Sequence, residues 1–552
     1  KWGVNSYMRN TKNNSWITWN LAPENLLFFN LAFTGHMYFE KPLGKSKPKK
    51  SFIPYINSIA YNDFENENKG DHFEFGGDAK FILDNSLTLD LTVNPDFSQV
   101  EVDQQVTNLT RFEISLPEKR QFFIENSDLF TQLGNGREAR PFFSRRIGIA
   151  EDPEGNNIQN KIIAGLRLSG NINEKLRIGL LNMQTGQDLE NEIAAFNNSI
   201  FVIQQKVFGR SNLNVFAINR DATGNYNFLS NNDEFNRIIG LDYNLRGLDG
   251  KWSGKYYFHK SFSPENNDDS VSYGFSTTYE SRSFGLRIAS SYIGHDFRSD
   301  LGFIRRTDIV KLYPEISYTF WPEDSKLINH GFEITPVYVL KPGINNEISD
   351  YYIISRWDAV FRDSSRIDFT MWNRYTYLYE SFDPTGSESG DPLPSNSGYY
   401  YTNFDFSFDS DDSKDFTYQI NPSFGKFYNG EKTSIDIKLN QKIRPKFTSS
   451  IEMKYDKVDL PEPYSSAKIF LIAPRIDFTF SKKVYWATLV QYSNQNDNLS
   501  LNTRLQWRFA PLSDLFLVYN DNYYTENRYD SIFIPRVKSR SINLKITYWL
   551  DI

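Results

Sequence analysis

The strongest constraint in this chain is a period of two that returns along most of its length. Ile542, Leu544, Ile546, Tyr548, Leu550 and Ile552 alternate with Asn543, Lys545, Thr547, Trp549 and Asp551. In an extended backbone that order puts the apolar set on one face and the polar set on the other. The same pattern runs through Phe404, Phe406 and Phe408 against Asn403, Asp405 and Ser407, and through Ile451, Met453 and Tyr455 against Glu452, Lys454 and Asp456. Phe73, Phe75, Ala79, Phe81 and Leu83 oppose Glu74, Asp78 and Lys80 over about ten residues, the length a tilted strand needs to cross a bilayer. Leu87, Leu89, Leu91 and Val93 follow after a short turn, opposed by Thr88, Asp90, Thr92 and Asn94.

Composition decides what such strands build. Aromatic residues make up 16% of 552 residues, yet mean hydropathy is only −0.54. No apolar run approaches the roughly 18 residues of a transmembrane helix. A membrane β-barrel reconciles the two numbers, because only alternate residues face lipid and aromatic rings gather at the interfaces. A soluble all-β array would show the same alternation with its charged face in water. Repeated strands of crossing length favour the barrel.

Connections give an independent sign. Short turns at residues 171–174, 209–212, 248–251, 281–283, 363–366, 410–414 and 510–513 alternate with longer polar segments at 186–197, 221–234, 261–269, 381–398 and 524–537. Outer-membrane barrels have this asymmetry between their two rims. The expected fold is therefore all-β: a large antiparallel transmembrane barrel of about 26 strands, or about 24 if the opening segment is not one. Residues 1–24 are read as an N-terminal strand or the tail of a missing periplasmic module, and residues 25–552 as the barrel. The chain opens on KWGVNSYMR with no signal peptide, so an N-terminal part is expected to have been cleaved or to be missing.

One long stretch, residues 94–148, breaks the alternation. It mixes Asp96, Glu101, Asp103, Glu113, Glu118, Glu125 and Asp128 with Arg111, Lys119, Arg120, Arg137, Arg140, Arg145 and Arg146. The strand before it follows a short turn and the strand after it, near Ala164, precedes one. Both ends of the stretch should thus lie at the long-loop rim. Nearly balanced charges can satisfy one another in a wet lumen, which suits a segment folded inward as a plug or constriction. Paired carboxylates can also serve as an acid/base couple or a divalent-cation site, but the spacing here matches no defined cation loop.

Other function classes lack their signatures. The chain has no cysteine, which removes thiolate metal sites and cysteine nucleophiles. Its five histidines form no close pair, and no nucleophile elbow, P-loop or dinucleotide fingerprint is present. Catalytic residues, resident metal and cofactor are accordingly all expected to be none. A net charge of −7 argues against a nucleic-acid partner. Tyr399, Tyr400, Tyr401, Tyr523 and Tyr524 could stack on sugars but suit an interfacial girdle better.

NPDFSQVEVD at 94–103, RFE at 111–113, PEKRQFFIE at 117–125, SRRIG at 144–148 and WRFAPLSDLFLVYN at 507–520 resemble an uncharacterised family of Bacteroidota-type outer-membrane proteins. Its members join a module like carbohydrate-binding family nine to a C-terminal barrel of unknown function. The resemblance covers the barrel part and brings no activity with it. It implies a bacterial outer-membrane protein in contact with lipid. The family's sugar-binding module is not among these residues unless 1–19 is its last strand, so carbohydrate binding is not carried over. Other outer-membrane or periplasmic subunits and a glycan stand as further partner expectations.

The functional expectation is a plugged or constricted pore for a polar solute, not an enzyme. The alternative is a non-conducting scaffold subunit of an outer-membrane complex for secretion, protein insertion or glycan handling.

Overall fold

The structure, a computed structural model, describes residues 2–10, 15–20, 34–40, 50–65, 67–84, 86–95, 105–155, 157–265, 267–386, 390–495, 497–525 and 536–552. Twenty-four antiparallel strands close into one barrel. The first eight are β1 (Lys50–Asp63), β2 (Asn68–Asp84), β3 (Leu87–Val93), β4 (Ile162–Asn171), β5 (Leu176–Thr185), β6 (Phe196–Val207), β7 (Ser211–Ala222) and β8 (Phe235–Arg246). Next come β9 (Trp252–Phe262), β10 (Val271–Glu280), β11 (Phe284–Ile293), β12 (Ile309–Phe320), β13 (Leu327–Lys341), β14 (Glu347–Phe361), β15 (Arg366–Leu378) and β16 (Ser397–Asp409). The last eight are β17 (Phe416–Phe427), β18 (Gly430–Ile443), β19 (Phe447–Asp459), β20 (Ala467–Ser481), β21 (Val484–Ser493), β22 (Asn498–Ala510), β23 (Ser513–Tyr524) and β24 (Arg536–Thr547).

Closure joins β24 to β1, with Ile546 opposite Ile56, and Leu550–Asp551 continues the same pairing. The count is the smaller of the two expected, and the opening segment explains why. Trp2–Val4 pairs with Gly35–Met37 and Tyr7–Asn10 with Ser15–Thr18, so these short strands satisfy one another and add nothing to the wall. The barrel begins at Lys50, well after residue 25. Of the range assigned to the barrel, residues 25–33 and 41–49 lie outside the described residues.

The alternation decides which way each side chain points. Across β7 to β11 one row runs Val215, Leu241, Phe258, Tyr273 and Tyr292, each opposite the next. Val215, Leu241, Phe258 and Tyr273 are exposed. The adjacent row, one residue along each strand, is Asn214, Asp242, Tyr257, Gly274 and Ser291. Its polar members are buried, so the outward face is apolar and the lumen face polar.

Aromatic rings mark both rims. Tyr338, Tyr351, Tyr375 and Tyr400 stand opposite one another on β13 to β16, with successive ring centroids 6.0, 5.8 and 4.5 Å apart. Toward the short-turn rim Trp252 meets Tyr279 at 5.0 Å and Phe509 meets Tyr548 at 6.1 Å. Of the tyrosines assigned to a girdle, Tyr400 belongs there, whereas its neighbours Tyr399 and Tyr401 turn to the other face and pack on Tyr428.

The alternation of connections holds in part, since the short connections at 64–67, 342–346, 428–429 and 494–497 stand on the rim of the long ones. Turns at 172–175, 208–210, 247–251 and 281–283 close one rim, while 186–195, 223–234, 263–270, 294–308 and 379–396 stand on the other. The long connection between β3 and β4 starts and ends on that second rim.

Candidate functional site: the segment held inside the barrel

A wall of this size leaves a wide lumen. With strands about 4.8 Å apart and tilted about 40°, twenty-four of them enclose a ring roughly 48 Å across between backbones. The described part of the β3–β4 connection faces that space. It packs on side chains that point away from the apolar face. Phe123, Leu129, Phe130, Leu133, Phe142 and Ile147 form one buried cluster with Leu181, Met183, Val202, Phe216, Ile218 and Ile238 of β5 to β8. In β5 the buried residues alternate through Gly179, Leu181, Met183 and Thr185, which identifies the lumen face.

Local structure within the segment is short. Gln121–Ile124 and Asp128–Thr131 are single helical turns separated by Asn126, whose φ is 51°. Gly134 (φ 63°) then turns the chain, and Asn135 and Ala139 exchange backbone hydrogen bonds at 3.0 Å in each direction. Ala139–Arg140 pairs with Phe303–Ile304, from the 294–308 loop.

The expected charges fall into two groups. The first holds the segment to itself. Arg120 donates to Glu118 at 2.8 Å and to the carbonyls of Ser144 and Ile147 at 2.6 Å each, while the Ser144 hydroxyl donates to Glu118 at 2.6 Å. The motifs PEKRQFFIE and SRRIG therefore meet in space. The Lys119 backbone N–H donates to the Glu118 side chain at 3.0 Å. Arg145 donates to the Pro117 carbonyl at 2.7 Å, and Arg146 pairs with Glu113 at 2.6 Å.

The second group joins the segment to the wall. Arg111 reaches Asp350 of β14 at 2.6 Å and the Tyr377 carbonyl of β15 at 2.7 Å. Glu125 pairs with Lys80 of β2 and lies 3.5 Å from Arg167 of β4, which in turn pairs with Asp90 of β3 at 2.7 Å. Asp128 pairs with Arg177 of β5 at 2.8 Å. Asp96, Glu101 and Asp103 lie outside the described residues.

Sequence reasoning missed two buried anchors. Glu138 is 1% exposed and accepts from Lys311 of β12 at 2.5 Å, with Arg306 at 3.7 Å from its other oxygen. Arg306 continues to Asp350 at 2.7 Å, so Arg111, Asp350, Arg306, Glu138 and Lys311 form one chain of alternating charge. Burial pushes the Glu138 carboxyl up, but the charges of Lys311 and Arg306 outweigh it and hold it below the usual carboxylate range. A second missed anchor is Asp242 of β8. It accepts from the Gly134 N–H at 2.8 Å and from the His259 ring at 2.7 Å, with Lys255 at 3.2 Å. Gly134 lies 108 positions away in the segment, while His259 and Lys255 share the neighbouring strand, and no local motif marks the three.

Three cavities flank the described part of the segment. Toward the long-loop rim lies a cavity of about 690 Å³ between Ile147–Glu151, Phe196, Arg220 and the 297–307 loop. Beside it one of about 610 Å³ is lined by Arg111, Phe112, Lys341, Asp350 and Phe382. Arg306 lines both. On the opposite side a cavity of about 840 Å³ opens among Arg137, Lys255, Lys311, Tyr352 and Trp372. The Glu138 carboxylate bridges Arg306 on one side to Lys311 on the other.

Several solved structures are similar in outline. The siderophore receptor PirA from Pseudomonas aeruginosa is 8% identical, with a TM-score of 0.44 over 91% of this chain and 81% of that one. The copper transporter OprC is 10% identical, at 0.38 over 96% and 84%. The FrpB iron transporter from Neisseria meningitidis is 10% identical, at 0.39 over 91% and 81%. Scores of this size carry nothing over to this chain. No protein of curated description matches it. A family model, described as a domain of unknown function, DUF5916, matches residues 49–465, from the residue before β1 into the connection after β19. The chain belongs to the DUF5916 family.

Proposed function

We propose that this protein is a bacterial outer-membrane barrel in which the β3–β4 segment constricts a polar pore for solute uptake. The observation that carries the reading is the placement of that segment's charges. Arg111, Glu125, Asp128 and Glu138 pair with lumen-facing residues of β2, β4, β5, β12 and β14. A wall this wide without contents would leave an aqueous channel, as large barrels do. The apolar outward rows and the aromatic rims suit a hydrocarbon layer between two interfaces. The resemblance to Bacteroidota barrels that follow a carbohydrate-binding module supports the same envelope setting. No step of this reading is catalytic.

Planar-bilayer recording tests it. The whole chain should conduct little, and a variant with residues 95–161 replaced by a short Gly/Ser linker should conduct steadily. Equal conductance by the two proteins overturns the constriction, and silence from both favours a non-conducting scaffold.

A further inference from the structure

The short-turn rim is not evenly charged. Its turns at 172–175, 247–251, 321–326, 362–365 and 410–415 each set at least one acid beside their cations. The two turns that join β18 to β19 and β20 to β21 carry cations only, Arg444, Lys446, Lys482 and Lys483. Arg444 is engaged by Asp415 at 3.2 Å. Lys446, Lys482 and Lys483 are exposed, and none has an ion-pair partner among the described residues.

Strand register brings the three lysines together. β19 and β20 are neighbours, and the Thr479 N–H donates to the Lys446 carbonyl at 2.7 Å. Lys482 follows three residues after Thr479, at most roughly 10 Å of extended chain. Lys483 completes the two-residue turn between Ser481 and Val484. Next to this turn pair, rings cover the outward face. Phe447 stands opposite Phe478 with centroids 6.4 Å apart, Phe480 is 4.6 Å from Phe478, and Trp486 faces Phe478 from β21. Phe480 and Trp486 are exposed. Rings at the end of an outward apolar face mark the depth of lipid headgroups, and long cationic side chains beside them extend into the headgroup layer. Anionic lipid attracts clustered lysines at that depth. A soluble acidic partner would match the lysines but not the rings that continue the patch toward the hydrocarbon.

We propose that Lys446, Lys482 and Lys483 bind the phosphate of an anionic phospholipid in the leaflet at the short-turn rim, its acyl chains lying over Phe447, Phe478, Phe480 and Trp486. The proposal rests on the membrane setting of the barrel and not on its conducting anything.

Native mass spectrometry of the detergent-purified full chain, titrated with phosphatidylglycerol or with phosphatidylcholine of the same acyl chains, reads the site. The first phosphatidylglycerol should bind tenfold or more tighter than phosphatidylcholine. The Lys446→Glu/Lys482→Glu/Lys483→Glu variant should lose that preference while keeping the gel mobility of the folded barrel. A control with the same change of charge spread over three other turns of this rim, Lys175→Glu/Lys251→Glu/Lys326→Glu, should keep it. Equal binding of the two lipids overturns the proposal and leaves the lysines to an acidic protein. Equal loss of preference in both variants overturns it in favour of net charge alone. Insertion into phosphatidylcholine vesicles tests the membrane setting apart. A chain that inserts but shows no lipid preference keeps the barrel reading and loses the site, and one that does not insert loses both.

Discussion

The backbone N–H of Gly134 donates to the Asp242 carboxylate at 2.8 Å, tying a left-handed turn of the inserted segment to the barrel wall. A Cβ at Gly134 would meet the Ala139 carbonyl, His259 Cε1 and Pro141 Cδ, all at 2.8 Å. Gly134→Ala is therefore expected to cost about 1–2 kcal/mol from the left-handed backbone alone, with the contacts adding to it. Hydrogen exchange at residues 133–139 checks this. Unchanged protection would mean that the turn does not depend on its conformation.

Glu138→Gln should loosen the segment more strongly. Removing one partner of a buried ion pair typically costs about 3–5 kcal/mol, because the other charge is left uncompensated. Trypsin cleavage after Arg137, Arg145 and Arg146 should accelerate in this variant, and adding Lys311→Met should recover part of the loss. If the double variant is cleaved as fast as the single, the Glu138–Lys311 pair is not the cause.

Acid should release the segment. Burial raises the Glu118 carboxyl, but hydrogen bonds and charge from Arg120, with the Ser144 hydroxyl, leave it below its ordinary 4.5. Glu138 is lowered in the same direction. A depressed carboxyl contributes stability that is fully present above its ordinary value and is lost as pH falls through the folded value. Hydrogen-exchange protection of residues 118–147, corrected for intrinsic rates, should hold from pH 7 to about 5 and decline below 4.5. Full protection at pH 3 would show that these two carboxylates do not set the segment's stability.

The two faces of β24 offer a direct comparison. Ile546 points outward opposite Leu515 and Ile56, near the middle of the apolar run from Ile542 to Ile552. Thr547 points inward, where its hydroxyl donates to the Asp514 carbonyl at 3.3 Å. Ile546→Arg, one outward residue from the Tyr548 girdle, is expected to cost about 1–2 kcal/mol, between the values for a cation at the bilayer midplane and at the interface, while Thr547→Arg remains folded. Urea titration of refolding into lipid vesicles measures both. Equal losses would reverse the assignment of faces.

How far these features could be read from the chain depends on how locally each is encoded. The alternation of Val215, Leu241 and Phe258 against Asn214, Asp242 and Tyr257 is a property of single strands, so the wall, its faces and its two unlike rims were legible. The strand count was legible only as a choice, because nothing in Trp2–Val4 distinguishes a wall strand from one that pairs with Gly35–Met37. Arg120 was recognisable as a charged member of the segment. Its acceptors, the carbonyls of Ser144 and Ile147, belong to the backbone and carry no signature in sequence. Glu138 was overlooked because GREAR reads as a solvated turn, and its partner Lys311 lies 173 positions away on another strand.

β3 and β4 pair directly, from Val93 opposite Ala164 down to Leu87 opposite Gly170, and the Asn94 N–H donates to the Ile163 carbonyl at 2.7 Å. The two tethers of the inserted segment are thus next-door neighbours at a seam already sealed by its own hydrogen bonds. The hydrogen-bonded circuit of the wall is therefore complete without any residue of the segment. The segment leaves the wall and returns to it at a single point of the rim.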